Sequence, residues 1–404
     1  MLFRIAWRNL WRNKLRSAVL TLSVVLGLWA GMFVMAFSWG MYKEHVNDVI
    51  ETQLSHLQIH HPMFQEEALA EYTIENADLI LKKLRKDTRV KAIAGRNSTD
   101  GMISSPTHAC GVKIFGIKPQ EEKKITGIRK SVIQGNYFDD KNSHEIIIGM
   151  KLAEKLRVKI KNKIILTFQQ KSGEITSASF RIIGFYRTKN SMLDESVVYT
   201  NYQELGKLLG TGDAIHEIAI LLKEVAYINT VSNDLRRYTP GIQVQSWKQL
   251  SPELQLIIDS FNQYMYVFIA IILLALMFGI INTMLMAVLE RQHEFGVLMA
   301  IGMNKLKVFC MVILETILLT SIGTPLGLML TYFTIEYFQN YGIDLSLFSE
   351  GMARFGFTDV VHPELETSIY APISLMTAGS AILSSIYPAY KALSLKPAVA
   401  IRKF

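Results

Sequence analysis

NTMLMAVLERQHEFGVLMAIGMNKLKVFCMVILETILLTSIGTPLGL, residues Asn282 to Leu328, is the stretch that decides the organisation of this chain. It contains the end of one apolar run, a charged connection over residues 290–307, and most of a second apolar run. A run of about 18 or more residues with few charges is long enough to cross a bilayer as a helix. The stretch therefore predicts two membrane spans joined by a short segment on one side of the membrane.

Four runs of this kind occur along the chain, and together they predict four transmembrane helices. They cover residues 17–42, 260–289, 308–335 and 367–390, and the single charge within them is Glu315. A helix rises about 1.5 Å per residue, so each run can cross a hydrocarbon core of about 30 Å. The first run is longer than the apolar core of a cleaved signal peptide, which is about 7 to 15 residues.

The composition favours a membrane protein with a soluble part. Half of the 404 residues are apolar, and the formal net charge is +8. The basic residues concentrate next to the apolar runs and form no stripe with interleaved aromatic residues, which argues against binding of nucleic acid. Cys110 and Cys310 lie far apart in the sequence, so no disulfide framework is predicted.

The basic residues also predict the orientation of the chain. Residues 1–16 place Arg4, Arg8, Arg12 and Arg16 at a spacing of four, which is typical of an amphipathic helix in the headgroup region. Residues 391–404 carry further lysines and arginines, whereas the charged residues of segment 336–366 are acidic apart from Arg354. Since lysine and arginine accumulate on the cytoplasmic side, we predict that both termini and residues 290–307 are cytoplasmic. Residues 43–259 and 336–366 would then lie outside the cytoplasm.

Residues 43–259 contain no run that could cross a membrane, and their pattern is mixed. Short β-rich segments, such as residues 145–149 and 179–184, alternate with helix-like segments, such as residues 74–85. Strands and glycines are densest over residues 111–186, which predicts a β-rich subdomain. The predicted fold class is a membrane α-helical protein with four transmembrane helices and a large mixed α/β extracytoplasmic domain inserted between helices 1 and 2.

The sequence offers no motif of an enzyme active site. The Walker A, HExxH, GxSxG and CxxC patterns are absent from the 404 residues. His60 and His61 lack a third ligand at a suitable spacing, and Cys110 with His108 lacks a group that would orient the pair. We therefore expect no catalytic residue, no metal site and no bound cofactor in this chain.

Glu315 is an acidic residue inside the third predicted span, and two interpretations are open. A charge at the centre of a bilayer costs about 2.5 to 3.5 kcal/mol on insertion. Glu315 lies about two helical turns beyond Lys307, at a depth of about 12 Å from that residue. It either links the charged connection to the helix bundle, or it reaches toward the membrane interface and pairs with a cation or a backbone group there.

The charged connection is predicted to be a docking helix. Its charged residues are interspersed with Phe295, Val297, Leu298, Met299 and Ile301. A helix here would present an apolar strip bordered by charges, which suits insertion into a groove on a partner protein. The alternative is a simple turn between two spans, which needs only a few residues.

The connection resembles a known family signature. The segment ERQHEFGVLMAIG, from Glu290 to Gly302, followed by Glu315, is similar to the signature of the FtsX/MacB/LolC-type ABC transporter permeases. The terminal segments RNLWRNKLRS (8–17), YPAYKA (387–392) and KPAVAIR (396–402) resemble the ends of that family. Within the inserted domain, resemblance to the periplasmic core of the lipoprotein-releasing branch, LolC and LolE, is carried by VKIFGI (112–117), IIIGMKLA (146–153) and FRIIGF (180–185).

This resemblance implies a non-catalytic subunit that works with separate motor proteins. It implies a dimer of permeases, identical or paralogous, with two cytoplasmic ATPase subunits of the LolD or MacB type that would hold ATP and Mg. Residues 290–307 would be the coupling helix, and movement would reach the periplasmic domain by mechanotransmission. The residues that match the coupling segment are Glu290, Arg291, Glu294, Phe295, Gly296, Leu298, Ala300 and Gly302.

For the lipoprotein-releasing branch, the resemblance implies a triacylated lipoprotein as cargo. The protein would lie in the bacterial inner membrane and pass its cargo to a periplasmic chaperone of the LolA type. The cargo would be held between the first and second spans, where large apolar side chains suit acyl chains. Packing within the protein or against lipid is the alternative role for each matching residue, and these are Trp29, Met32, Phe33, Phe37, Met41, Phe261, Tyr264, Met265 and Phe268.

One segment departs from the lipoprotein-releasing pattern. In LolC a long hairpin with a proline captures the chaperone, whereas residues 169–177, QQKSGEITS, are short and contain no proline. The chain could therefore be the LolE-like partner, a divergent homodimer or an exporter of other cargo. Two alternative functions stay open, namely a MacB-like exporter of peptides or drugs that works with a periplasmic adaptor, and an FtsX-like protein that signals to a cell-wall hydrolase. The usual FtsX external domain is much smaller than residues 43–259.

Overall fold

The structure is a computed structural model that describes residues 2–12, 14–139, 144–239, 241–354 and 356–393. The C-terminal motif at residues 396–402, with most of the predicted tail 391–404, lies outside these residues. The chain divides into two compact units. The membrane unit comprises Met1–Met41, Ile258–Asp344 and Val360–Phe404, and the inserted unit comprises Tyr42–Ile257 and Leu345–Asp359.

Long apolar helices make up the membrane unit. Among the described residues, four segments are long and apolar enough to cross a membrane, and these are Ser17–Leu54, Pro252–Glu290, Lys305–Tyr341 and Thr367–Leu393. Each of the four apolar runs in the sequence lies within one of them. The helices that form these segments are α2 (Lys14–Val49), α12 (Pro252–Glu290), α14 (Lys305–Tyr341) and α16 (Tyr370–Leu393). Helix α1 (Leu2–Arg12) precedes α2, and α13 (Gln292–Ala300) lies between α12 and α14.

One apolar core is shared by the four long helices. Close approach of α2 and α14 depends on Gly323 and Gly327, which have no side chains. A Cβ atom at Gly323 would lie 3.1 Å from the Cβ of Val24, and one at Gly327 would lie 3.2 Å from the Cβ of Leu28. Small residues of this kind bring helices together in lipid, where burial from water supplies no driving force. The core includes Val24, Leu28, Met32, Leu276, Ile280, Met284, Met311, Val312, Leu319, Ile373, Ala381 and Ala389.

A mixed β-sheet with short helices forms the inserted unit. Its strands are β1 (Leu57–His60), β2 (Val90–Ser104), β3 (Ala109–Ile117), β4 (Val132–Gly135), β5 (Glu145–Gly149), β6 (Lys163–Gln169), β7 (Ile175–Tyr186), β8 (Val197–Asn201), β9 (Glu217–Leu222) and β10 (Gln243–Ser246). The order in the sheet is β10-β1-β9-β2-β3-β8-β5-β7-β4, and β6 pairs with β2 and β7. The helices are α3 (Phe64–Glu67), α4 (Ala77–Leu84), α5 (Pro119–Ile125), α6 (Ile128–Ser131), α7 (Met150–Leu156), α8 (Ser191–Ser196), α9 (Tyr202–Leu209), α10 (Ile228–Tyr238) and α11 (Trp247–Leu250).

Strand β2 joins two halves of this sheet. Its residues 90–96 pair with β9, whereas residues 97–104 pair with β3. The half that contains β3 to β8 is rich in strands and has its own apolar core, which includes Ile103, Ile114, Ile146, Ile148, Phe180, Ile182 and Val198. The predicted β-rich subdomain covered residues 111–186. The strands of this half extend beyond both limits, because β2 and β8 complete the pairing of β3 and β5.

A row of buried polar side chains crosses the other half of the sheet. Arg96 in β2 lies opposite Glu217 in β9, which lies opposite His60 in β1. Arg96 donates hydrogen bonds to both carboxylate oxygens of Glu122, at 2.6 and 2.9 Å, and to Glu217 at 2.7 Å. The side chains of Arg96, Glu122 and Glu217 are at most 3% exposed. Burial acts to raise the pKa of Glu217, but the positive charge of Arg96 outweighs it, so the pKa is lowered.

The residues between α14 and α16 divide between the two units. Strand β11 (Ile343–Asp344) pairs with β12 (Val360–Val361) in the membrane unit. The residues between these strands belong to the inserted unit and include a 3-10 turn at Ser346–Phe348 and helix α15 (Ser349–Arg354). Within the inserted unit, His45 Nδ1 lies 2.7 Å from the carbonyl oxygen of Gly356, and the Thr358 hydroxyl donates to Glu44 at 2.7 Å. The segment predicted as a loop is thus packed against the residues that follow the first apolar run.

Replacing Arg96 with leucine should destabilise the folded chain by about 3 to 5 kcal/mol, because two buried carboxylates lose their partner. In the wild type the lowered pKa of Glu217 contributes stability above its unfolded value of 4.5, and this contribution is lost as the pH falls through the folded pKa. In Arg96→Leu the Glu217 carboxylate loses the positive charge that lowers its pKa and binds a proton more readily, so the difference in stability from wild type should narrow on acidification. Denaturant unfolding of the full chain in detergent, followed by near-UV circular dichroism, measures both effects.

Arg85→Leu is the matched control for this prediction. Arg85 pairs with Glu121 at 2.7 Å, but its side chain is 55% exposed. Exposed ion pairs contribute about 0 to 1 kcal/mol, so the midpoint of unfolding should change little. Equal losses of stability in the two variants would show that the buried cluster contributes no more to the free energy of unfolding than an exposed ion pair does.

Candidate functional site

The connection between the second and third long helices is a short helix followed by a turn. Helix α12 ends at Glu290, and α13 covers the nine residues Gln292–Ala300. Gly302 then has a φ of +98°, a left-handed conformation that favours glycine. Asn304 caps the start of α14, because its side chain accepts a hydrogen bond from the Leu306 amide at 3.2 Å. The predicted connection at 290–307 is thus a nine-residue helix with a glycine turn, and its last residues already belong to α14.

Arg291 holds this connection to the third span. Its Nη1 atom donates to both carboxylate oxygens of Glu315 at 3.0 Å, and its Nε atom donates to Glu294 at 2.9 Å. The Arg291 side chain is 7% exposed and lies over the ring of Phe295, with 5.2 Å between the guanidinium carbon and the ring centre. Glu315 is therefore the partner of a cation from the connection, and it links the connection to α14.

A second ion pair joins helix α1 to the same network. Arg12 in α1 donates a hydrogen bond to Glu294 in α13. Burial acts to raise the pKa of Glu294, but the hydrogen bonds from Arg12 and Arg291 outweigh it, so the pKa is lowered. Glu294 thus stays ionised at neutral pH and bridges two arginines. Through these contacts, α1, α13 and α14 form one charged cluster at one end of the membrane unit.

The connecting helix α13 has a buried face and an exposed face. Phe295 is 1% exposed and packs in the core of the membrane unit, and Leu298 contacts the same core. On the other side, Val297 and Ile301 are 37% and 79% exposed. The residues predicted for coupling therefore separate into two groups. Arg291, Phe295, Gly296 and Leu298 are buried or half-buried, Glu294 bridges the two arginines, and the exposed ones are Glu290, Ala300 and Gly302.

The second feature of the membrane unit is an apolar groove between α2 and α12. It has a volume of about 450 Å³. Gly27 and Gly31 of α2 pack closely against Leu276 and Ile272 of α12, since a Cβ atom at Gly31 would lie only 2.6 Å from Cδ1 of Ile272. The groove is lined by Ser23, Gly27, Ala30, Gly31, Val34, Phe268, Ile271, Ile272, Ala275, Leu276 and Gly279.

Ser23 is the one polar side chain in this lining. Its hydroxyl donates to the Val19 carbonyl oxygen at 2.8 Å, within its own helix. The groove among the described residues therefore presents hydrocarbon and no unsatisfied polar group, which fits an apolar chain rather than a peptide backbone.

The large apolar residues predicted as cargo contacts are distributed over several surroundings. Phe268 lines the groove. Trp29 donates to the Thr334 hydroxyl at 3.1 Å and stacks on Phe33, so both side chains face α14. Met32 is buried in the core of the membrane unit, and Met265 packs against that core. The ring centres of Phe261 and Trp39 are 5.4 Å apart. Tyr264 is 62% exposed, and Phe37 and Met41 are half-buried.

The histidines weighed as metal ligands have structural partners in the inserted unit. His60 Nε2 lies 2.9 Å from the Gln58 side-chain oxygen, and burial lowers the pKa of His60 to about 4. His61 stacks on Tyr72. Among the described residues, no group of three or more His, Cys, Asp or Glu side chains is placed to hold a metal ion.

Comparison with known sequence families identifies both parts of the chain. The FtsX-like permease C-terminal profile matches residues 266–397, and the MacB-like periplasmic core domain profile matches residues 17–238, more than half of the chain. The predicted fold class of four long helices with an inserted α/β domain is thereby confirmed.

The chain is also similar to individual proteins. The lipoprotein-releasing system transmembrane protein LolC of Neisseria meningitidis is 22% identical over 81% of this chain and 83% of its own length. The macrolide export ATP-binding/permease protein MacB of Escherichia coli is 24% identical over 83% of this chain and 52% of its own length. The solved periplasmic region of MacB from Actinobacillus actinomycetemcomitans is 12% identical, with a TM-score of 0.37 over 52% of this chain and 98% of that region.

The two profile matches together include at least part of each of the four long helices and most of the inserted domain. The two named relatives match most of this chain, and one is named a transmembrane protein and the other an ATP-binding/permease protein. This chain therefore belongs to the FtsX/MacB/LolC-type family of ABC transporter permeases.

Proposed function

We propose that this permease extracts lipoproteins from the outer leaflet of the inner membrane, by mechanotransmission from separate ATPase subunits. The observation that carries the proposal is the apolar groove between α2 and α12. It lies between residues 23–34 of α2 and residues 268–279 of α12, within two membrane spans, so an acyl chain would enter it from the bilayer. Removing an acyl chain from lipid into water costs about 0.8 kcal/mol per methylene group, which explains the need for an energy source.

The groove fits an acyl chain in size and in chemistry. Its volume of about 450 Å³ lies within the usual range of ligand sites, and the exposed lining residues include Val34, Phe268 and Ile271. In lipid, an acyl chain gains little from hydrophobic burial, so its binding depends on van der Waals packing against such side chains. The relatives named LolC and LolE support a lipoprotein as the source of the chain.

The exposed face of α13 is the surface where an ATPase subunit would dock. Val297 and Ala300 of α13, together with Ile301 directly after it, form an exposed apolar strip, and Glu290 at the start of the connection is exposed as well. A short amphipathic helix of this kind inserts into a hydrophobic groove on its partner. Two cytoplasmic ATPase subunits of the LolD or MacB type would bind ATP and Mg, and this chain would supply no catalytic residue.

In this proposal the chain is a multi-pass protein of the bacterial inner membrane. Both termini and α13 lie in the cytoplasm, and the inserted domain lies in the periplasm, in agreement with the basic residues that flank the spans. A second permease, identical or paralogous, completes the transporter, and a periplasmic chaperone of the LolA type receives the cargo. Export of peptides or drugs with a periplasmic adaptor, as the name MacB indicates for that relative, is the second candidate function.

Photo-crosslinking tests the cargo directly. Crosslinkers placed at Val34 and at Phe268, two exposed residues of the groove, should trap acylated lipoproteins in membranes. A crosslinker at Leu26, which is 51% exposed on α2 but does not line the groove, should trap lipid instead. Mass spectrometry of the adducts identifies the cargo. Trapping of unacylated peptides or small drugs at the groove positions would favour the exporter.

A matched pair of variants checks that the groove itself is responsible. Ala30→Trp places a large side chain in the groove, so the yield of lipoprotein adduct at Phe268 should fall at least tenfold. Leu26→Trp adds the same ring to α2 outside the groove and should leave the yield within a factor of two. Similar losses from both variants would mean that the adducts arise at the lipid-facing surface.

Ile301→Asp should weaken binding of the ATPase at least tenfold, because it places a charge in the apolar strip of α13. Ile301 is 79% exposed, so the substitution disturbs no core packing. Copurification of the ATPase with the permease measures the effect. Leu347→Asp is the control, since Leu347 is 94% exposed in the inserted unit and lies far along the chain from α13. Retention of the ATPase by Ile301→Asp would place the docking surface elsewhere.

Arg291→Gln and Glu315→Gln should each uncouple ATP hydrolysis from lipoprotein release, because each breaks the link between α13 and α14. Copurification of the ATPase should persist, while the lipoprotein released per ATP hydrolysed should fall at least fivefold. The double variant should be no worse than either single one, as expected for two residues that act as a pair. Additive losses would show that the two side chains act independently.

A further inference from the structure

The two connections between the long helices α2 and α12 and the sheet of the inserted unit differ in regularity. Helix α2 leads through residues 50–56 into β1, and β10 leads through α11 into α12. Strands β1 and β10 are neighbours, with Leu57 opposite Ser246. The exit from β10 is well capped, because Ser246 and Gln249 form a reciprocal capping box at α11. The entry to β1 is irregular by comparison.

The irregular entry consists of a π-helical turn and a strained residue. Residues Ile50–Leu54 form a π-helix directly after the α-helical part of α2. The Ser55 amide donates to the Ile50 carbonyl oxygen at 2.7 Å, which closes a turn one residue wider than that of an α-helix. Ser55 itself has a φ of 59° and a ψ of 178°, a combination that is almost confined to glycine.

The residue after Ser55 is held firmly by the sheet. The His56 amide donates to the Ile220 carbonyl oxygen at 3.1 Å, and the Trp247 amide donates to the His56 carbonyl oxygen at 3.2 Å. His56 Nδ1 also accepts from the Leu222 amide at 3.0 Å. The strain at Ser55 therefore arises between a wide helical turn on one side and a fixed strand on the other.

Space and unsatisfied polar groups surround this turn. A cavity of about 200 Å³ is lined by Thr52, Gln53 and Leu54 of the turn, and on the other side by Arg96 and Glu217. Among the described residues, Gln53 Nε2 and Ser55 Oγ are buried without a hydrogen-bond partner. Groups of this kind are costly and rare in a settled structure. The turn thus has both a reason to change conformation and room in which to do so.

We propose that residues 50–55 form a switch between two helical registers. In the state described here the turn is π-helical and holds one extra residue. In the second state the turn is α-helical, and the extra residue passes into the junction at Ser55, which relieves its backbone. A shift of one residue corresponds to about 1.5 Å along a helix and a rotation of about 100°. Residues 42–49 would therefore change their position relative to β1 in two discrete steps. This switch does not depend on which cargo or ATPase the permease uses.

The test uses spin labels on the full chain in lipid nanodiscs. Cys110 and Cys310 are first replaced by serine, and labels are attached at Asn47→Cys and Lys91→Cys, both exposed positions of the inserted unit. Pulsed dipolar spectroscopy should show two distances between the labels. Deletion of Thr52 removes the extra residue, so no residue can pass between the turn and the junction, and this variant should show a single distance.

The pair Ser55→Gly and Ser55→Ala isolates the backbone strain. Both remove the unpartnered hydroxyl, but only glycine accepts a φ of 59° with a ψ of 178° without strain. Ser55→Gly should therefore raise the population of the π-helical distance at least threefold above that in Ser55→Ala. A single distance in the wild type, or equal populations in the two variants, would overturn the proposal even if the deletion variant fails to fold.

Discussion

The pairing of Glu315 with Arg291 is the interaction on which the connecting segment depends. A carboxylate inside a span costs about 2.5 to 3.5 kcal/mol unless a partner reaches it. Arg291 reaches Glu315 because α12 ends one residue earlier, at Glu290, and the guanidinium then rests on Phe295. With Phe295 buried, the helical period leaves Val297 and Ile301 on the outside. One ion pair thus determines which face of α13 remains available to a partner.

Helix α2 makes close contacts with two other long helices of the membrane unit. Toward α14, the side chains of α2 fill the spaces left by Gly323 and Gly327, so the two helices lie close together. Toward α12, α2 presents its own glycines, and a Cβ atom at Gly31 would lie 2.6 Å from Ile272. The groove is bordered by this second contact. Helix packing in lipid relies on such close fits, so a movement of α14 through Glu315 would reach α2 and the residues that line the groove.

The sequence alone predicted the spans and the inserted domain because charge-free runs and strand patterns are strong signals. The residues of the candidate site are harder to assign from the sequence. The apolar pattern of the connection included both Phe295 and Ile301, and no sequence rule separates a strip that packs on the protein from one that docks on a partner. The family resemblance selected Phe295, which is buried, and passed over Ile301, which is exposed. For the cargo contacts, the sequence-based prediction favoured large side chains, and of these Phe268 lines the groove. The lining also contains small residues, such as Gly27, Ala30 and Gly31, which a preference for large side chains passes over.

The strand that follows α2 explains why a switch is needed at residues 50–55. Strand β1 lies between β9 and β10 and is hydrogen-bonded on both sides, so it cannot slide without breaking the sheet. Helix α2 is one continuous helix of 36 residues that includes the groove residues and ends at Val49. If α2 moves with α14 while β1 stays fixed, the difference must be absorbed between Val49 and Leu57. A π-helical turn beside a strained Ser55 can absorb this difference in a single step of one residue, without continuous bending of the helix.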